Sequence, residues 1–139
     1  MNQFYNHKSY IDLNESQKEA VKNLDGPLLV LSGAGTGKTR VLTARLANLL
    51  YSNTTKAWKI LAVTFTNKAA KEMRTRLESL IGPMANSVWL GTFHSIGARI
   101  LRENAELVGL NSNYTIITPD DQIRLLKQIM LDEDIDIKK

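Results

Sequence analysis

Ser32-Gly33-Ala34-Gly35-Thr36-Gly37-Lys38-Thr39 gathers three glycines, a lysine and two threonines into one short stretch. That set suits one chemistry, the holding of a polyphosphate. The glycines let the backbone curl until its N–H groups point inward as an anion nest. The start of a following helix adds partial positive charge. Lys38 reaches for the β- and γ-phosphates, and the Thr39 hydroxyl is the kind of oxygen that ligates Mg²⁺. Ser32 stands where the strict pattern has glycine, a mild departure because the later glycines build the cradle. Lys-Thr directly after the turn separates it from a glycine-rich strand–helix turn that binds nothing. A nucleoside triphosphate site over residues 32–39 is the expectation.

Such a cradle needs a strand to deliver it and a helix to carry it away. Leu28-Leu29-Val30-Leu31 precedes it as an apolar run, predicting a first strand over 28–32 after the break at Asp25-Gly26-Pro27. Upstream, Asn14-Glu15-Ser16-Gln17 opens a helix through Val21, with Asn14 as N-cap and Gln17 at the capping-box position. Downstream, 40–51 reads as a helix burying Val41, Leu42, Leu46, Leu49 and Leu50. A second strand is predicted over 60–65, then a helix over 67–80 stopped by Ile81-Gly82-Pro83, then a third strand over 87–90. Residues 92–108 read as mainly helical, with Ile96, Ile100, Leu101 and Leu107 as their apolar set, and 114–117 as a short extended segment. Thr118-Pro119-Asp120-Asp121 starts the last helix, with an N-cap, a proline at the first position and acids in the first turn.

Strands alternating with helices imply an α/β fold with a parallel sheet. Three strands fall short of the roughly five that a nucleotide-binding sheet uses. No apolar strand ends in Asp or Asp-Glu to complete a Mg²⁺ site, since the acids at 132–136 follow a helix. The expectation is therefore a piece of a larger nucleotide-binding domain.

Composition narrows the class. The 139 residues are 43% hydrophobic, enough to bury a core. No run approaches the roughly 18 apolar residues of a membrane span, and the first residues lack the apolar core of a secretory signal. With no cysteine there are no disulfides or thiolate metal sites, which fits a cytoplasmic protein, and His7 and His94 stand too far apart to suggest a metal pair. The net charge of +4 is uneven: residues 1–119 hold fourteen Lys/Arg against eight Asp/Glu, and residues 120–139 four against six. A basic excess around the cradle suits a polyanion, nucleotide or nucleic acid.

Four blocks in order then resemble the UvrD/Rep/PcrA helicases of superfamily one. Residues 13–21, with Gln17, resemble their Q-motif, and the cradle extended as Gly37-Lys38-Thr39-Arg40-Val41-Leu42 resembles motif I. Residues 62–74 (Ala62-Val63-Thr64-Phe65-Thr66-Asn67-Lys68 onward) are similar to motif Ia, and Gly91-Thr92-Phe93-His94-Ser95 to motif Ib. The resemblance implies a partial RecA-like P-loop NTPase domain over 1–95, running into an inserted helical subdomain over 96–139. It also implies ATP and Mg²⁺ as cofactors, and single-stranded DNA and duplex junctions as partners. The parent activity it implies is ATP-driven 3′ to 5′ unwinding in repair or replication.

Residue by residue, Gln17 would read adenine with an amide that donates and accepts at once; a purely capping role is the bland alternative, and the two can coexist. Arg40 and Arg76 correspond to positions facing the nucleotide, although Arg76 also suits a solvated helix face. Thr64, Phe65, Thr66, Asn67 and Lys68 would meet a DNA phosphate at a strand-to-helix junction, with Phe65 stacking on a base. Without the resemblance, Phe65 reads as core at a strand end. Thr92, Phe93 and His94 resemble a second such junction, and a lone His such as His94 is otherwise a structural hydrogen-bonder. Lacking the Asp-Glu block, the later motifs and an arginine finger, the piece is expected to hydrolyse no ATP and to associate through unpaired sheet edges such as 28–31. Two other readings stay open: another P-loop phosphotransferase, and a non-catalytic nucleic-acid-binding module.

Overall fold

Asn14 opens the first long helix as its sequence demands. A computed structural model of the chain describes residues 3–33 and 35–135; Ala34 of the expected cradle lies outside the described residues. The Asn14 side chain accepts from Gln17 N at 2.9 Å, and Gln17 Oε1 accepts from Asn14 N at 3.0 Å, a complete capping box. This helix, α2, spans Glu15–Lys22, and a short helix, α1, precedes it over Lys8–Ile11. Helix α3, Lys38–Tyr51, leaves the cradle. Strand β1 (Leu61–Thr64), helix α4 (Asn67–Ile81), strand β2 (Trp89–Thr92), helix α5 (Phe93–Glu103) and helix α6 (Pro119–Asp132) follow.

By contact the chain divides into two compact units, residues 1–98 and 99–139. In the first, β1 and β2 pair in parallel with Leu61 opposite Trp89 and Thr64 opposite Thr92. Helices α2, α3 and α4 pack with the sheet around Val21, Leu77 and Val88, all buried. Phe4 is buried against His7, Tyr10 and Tyr51, an aromatic cluster that closes the N-terminal end of this core. Side chains of α3 fasten α2 in place: Arg45 Nη1 donates to Ala20 O at 3.0 Å and Asn48 Nδ2 to Val21 O at 2.9 Å. These bonds satisfy carbonyls that the end of α2 leaves without helical partners.

The predicted first strand is corrected. Among the described residues, 28–32 pairs with no other strand, and Leu29 and Leu31 are 80% and 84% exposed. Strand geometry persists only where a neighbour takes the backbone hydrogen bonds, and β1 and β2 take each other's. Among the described residues the sheet is thus a two-stranded parallel pair among helices, compatible with part of a RecA-like domain. Leu42 is also corrected: it is exposed beside Leu28 and Val30, while Ala44, Ala47 and Asn48 occupy the buried stripe.

In the second unit the helix predicted to 108 ends at Glu103, and a 3₁₀ turn covers Ala105–Val108. Of its expected apolar set, Ile100, Leu101 and Leu107 are exposed. Residues 114–117 form no strand, but Arg102 stacks over the Tyr114 ring at 5.5 Å. Helix α6 starts as predicted, with Thr118 and Asp121 closing a capping box, although it buries none of its residues. No described helix is long and apolar enough to cross a membrane.

Candidate nucleotide and nucleic-acid site

Gly35 and Gly37 both hold positive φ, 75° and 87°, so the loop can turn sharply into α3. Gly37 is the N-cap of that helix, and no side chain among the described residues caps it. The first N–H groups of α3 are therefore left for an anion. Lys38 Nζ donates to Ser32 O and to Gly33 O, each at 2.9 Å, and Thr36 Oγ1 donates to Gly33 O at 2.7 Å. An ammonium has three protons, so one remains for a phosphate oxygen. The Thr39 hydroxyl makes no hydrogen bond among the described residues, and its backbone carbonyl accepts from Thr43 Oγ1 at 2.9 Å.

Gln17 reaches this loop. Its Nε2 donates to Thr36 O at 3.0 Å, across nineteen residues of sequence. Gln17, Ser32, Thr36 and Lys38 line one cavity of about 160 Å³. Arg40 and Arg76 line a separate one of about 350 Å³ with Thr43 and Ser79. The structure thus brings Gln17 to Lys38 and Arg40 to Arg76, in two neighbouring hollows rather than one. Arg40 also pairs with Asp12 at 3.4 Å, a partner that no local pattern in the sequence announces.

The C-terminal ends of β1 and β2 assemble the remaining residues. Thr64 stands opposite Thr92 at the ends of the two strands, and the residue that follows each strand is a phenylalanine. Their rings lie 5.4 Å apart at 50°, with Phe65 89% and Phe93 53% exposed. Phe65 is consequently not core, although it directly follows β1. Thr66 caps α4 by accepting from Ala69 N at 3.1 Å, and Thr64 Oγ1 donates to Thr66 O at 3.0 Å. Asn67, Lys68 and His94 are exposed at the two helix starts. Thr92 is buried: its N–H donates to Ser95 Oγ at 2.9 Å, and Ser95 N donates to Thr92 Oγ1 at 3.2 Å. Ser95 and Arg74 escaped assignment from sequence. The three-residue spacing of Thr92 and Ser95 is a capping signal that betrays the first. Arg74, whose guanidinium donates to Leu90 O at 2.8 Å and to Ala85 O at 3.4 Å, carries no such signal.

As chemistry, the first region can cradle a polyphosphate and the second can stack bases beside two helix N-termini. For Mg²⁺ the free Thr39 hydroxyl is a fitting ligand, and no group of three or more His, Asp or Glu among the described residues could hold a metal by itself. The donor set fits a cation shared with phosphate oxygens and water.

Known proteins resemble the chain along nearly all of its length. It is 50% identical over 127 residues to the ATP-dependent DNA helicase PcrA of Bacillus subtilis (strain 168), covering 91% of the chain and 17% of that protein. It is 48% identical over all 139 residues to the ATP-dependent DNA helicase PcrA of Staphylococcus aureus (strain Mu50 / ATCC 700699), covering 18% of that protein. The same name belongs to a Staphylococcus epidermidis relative, 50% identical over 92% of the chain and 18% of the relative. The chain spans less than a fifth of the length of these relatives. Residues 13–139, from the cap of α2 through both strand ends, match the UvrD/REP helicase N-terminal domain, and the chain belongs to that family.

Proposed function

We propose that the chain binds ATP with Mg²⁺ and single-stranded DNA as the N-terminal part of an ATP-dependent 3′ to 5′ DNA helicase acting in repair or replication. The observation that carries the nucleotide half is the start of α3, entered through Gly35 and Gly37, left uncapped and overhung by Lys38. In this reading the α3 N–H groups and the third Lys38 proton hold the triphosphate, and Gln17 meets the adenine edge. Thr39 offers its hydroxyl to Mg²⁺, which neutralises phosphate charge when bound. Arg40 and Arg76 flank the nucleotide from their shared hollow. That the relatives are ATP-dependent DNA helicases supports the helicase role.

Phe65 and Phe93 form the base-stacking platform, flanked by Thr64, Thr66, Asn67, Lys68, Thr92 and His94 at the two helix starts. The helical subdomain begins within α5. Titration of a fluorescent ATP analogue with Mg²⁺ tests the reading: wild-type protein binds, Lys38→Ala loses binding, and neither turns over ATP above blank. Equal binding by both proteins would remove the cradle from the proposal. The exposed ring pair favours a second reading, a non-catalytic single-strand-binding module. DNA binding indifferent to nucleotide and to Lys38→Ala would select it.

A further inference from the structure

A capping box uses one side of a glutamine; Gln17 uses both. Its amide offers two donors on Nε2 and two acceptor lone pairs on Oε1. Oε1 accepts from Asn14 N at 3.0 Å, which completes the cap of α2. Nε2 donates to Thr36 O at 3.0 Å, which capping does not require. We propose that Gln17 is a positioning residue that holds the phosphate cradle in shape from α2, through the Thr36 carbonyl, so that base recognition and cradle geometry are coupled at one amide. This rests on the nucleotide-site reading above and adds to it a role that needs no base at all.

Three observations carry the coupling. Thr36 immediately precedes Gly37, the left-handed N-cap of α3, so fixing its carbonyl fixes the peptide that leads into the uncapped N–H groups. A Cβ at Gly37 would lie 3.3 Å from Gln17 Nε2, so the amide packs directly on that turn. Beyond it the network continues: Thr36 Oγ1 and Lys38 Nζ both donate to Gly33 O, at 2.7 and 2.9 Å. A hydrogen-bonded path thus runs from the α2 cap to the lysine ammonium. One Nε2 proton and one Oε1 lone pair remain, which is what the N7 acceptor and N6 amino donor of adenine demand.

Inorganic tripolyphosphate, which has no base, separates the strut from a reader of bases. Its binding with Mg²⁺, and that of ATP, is measured by calorimetry in wild-type protein, Gln17→Met and Asn14→Ala. A strut predicts that Gln17→Met weakens tripolyphosphate roughly three- to tenfold, the share of one net hydrogen bond, and ATP by at least as much. Asn14→Ala removes the other half of the same cap but leaves the Thr36 bond, and should keep wild-type tripolyphosphate affinity. Unchanged tripolyphosphate binding in Gln17→Met with weakened ATP overturns the proposal and leaves Gln17 a base reader. Equal losses in both variants overturn it in favour of helix capping. Wild-type protein that binds neither ligand defeats the nucleotide reading itself and the strut with it. Should Gln17→Met fail to fold, the wild type decides by NMR: one slowly exchanging Gln17 side-chain N–H supports the strut, and two fast ones refute it.

Discussion

Gly37 and Phe65 show how single residues set what each half of the site can do. At φ 87°, Gly37 occupies a region that costs an L-residue with a Cβ about 1–2 kcal/mol. Gly37→Ala should lower stability by about that much and weaken ATP-analogue binding, which urea unfolding and a fluorescence titration would register. Equal stability would mean that the turn relaxes freely. Phe65 invests an 89% exposed ring where a buried one would stabilise the fold, so truncating it should leave stability nearly untouched. Phe65→Ala is expected to cost about 1–3 kcal/mol in affinity for single-stranded DNA, the range for one lost base stack, measured by anisotropy. Gly37 was legible because its signal is local, a glycine in a phosphate loop, whereas the local pattern alone made Phe65 core at a strand end and only the folded chain shows its ring exposed. Asp12 was not legible, because its pairing with Arg40 exists only once α3 has packed beside the N-terminal turn.

Elements were legible in proportion to how far they satisfy themselves. Helices α2 and α6 carry their own caps, and both begin where the capping residues place them. The 28–32 run has the right composition for a strand yet takes no ladder among the described residues, because a strand depends on a neighbour that sequence patterning does not supply. Helix α6 also has a measurable acid response. The Thr118 hydroxyl, at 2.7 Å, and then its N–H donate to Asp121 and hold that carboxyl below the usual aspartate range. A lowered folded pKa gives stability that is present above the unfolded value and lost as pH falls through the folded one. The first turn of α6 should therefore fray on acidification, seen as a lower protection factor at Gln122, its amide exchange taken relative to the intrinsic rate at the same pH. In Asp121→Asn that acid dependence should vanish, and its persistence would locate the effect elsewhere.

At the scale of the whole molecule, charge and the parallel sheet act together. The basic excess lies within residues 1–119, which include the cradle and both strand ends. Single-stranded DNA affinity should accordingly fall linearly on a log–log plot against salt, with a slope of about −0.7 per phosphate neutralised. Lys68→Ala should make that slope shallower by about that amount, while Phe65→Ala should lower affinity with the slope unchanged. A slope indifferent to Lys68 would remove it from the phosphate contacts.

The two hydrogen bonds of Arg74 have a mechanical meaning. In the proposed single-strand-binding role, a nucleic-acid strand drawn across Phe65 and Phe93 would pull on the ends of β1 and β2, a pair only four residues long in each strand. The guanidinium, bonded to Leu90 O and Ala85 O, would hand part of that tension to the fifteen-residue helix α4. In that role the stiffness at the ring pair would depend on an arginine of α4, as a bracket sets the give of a shelf.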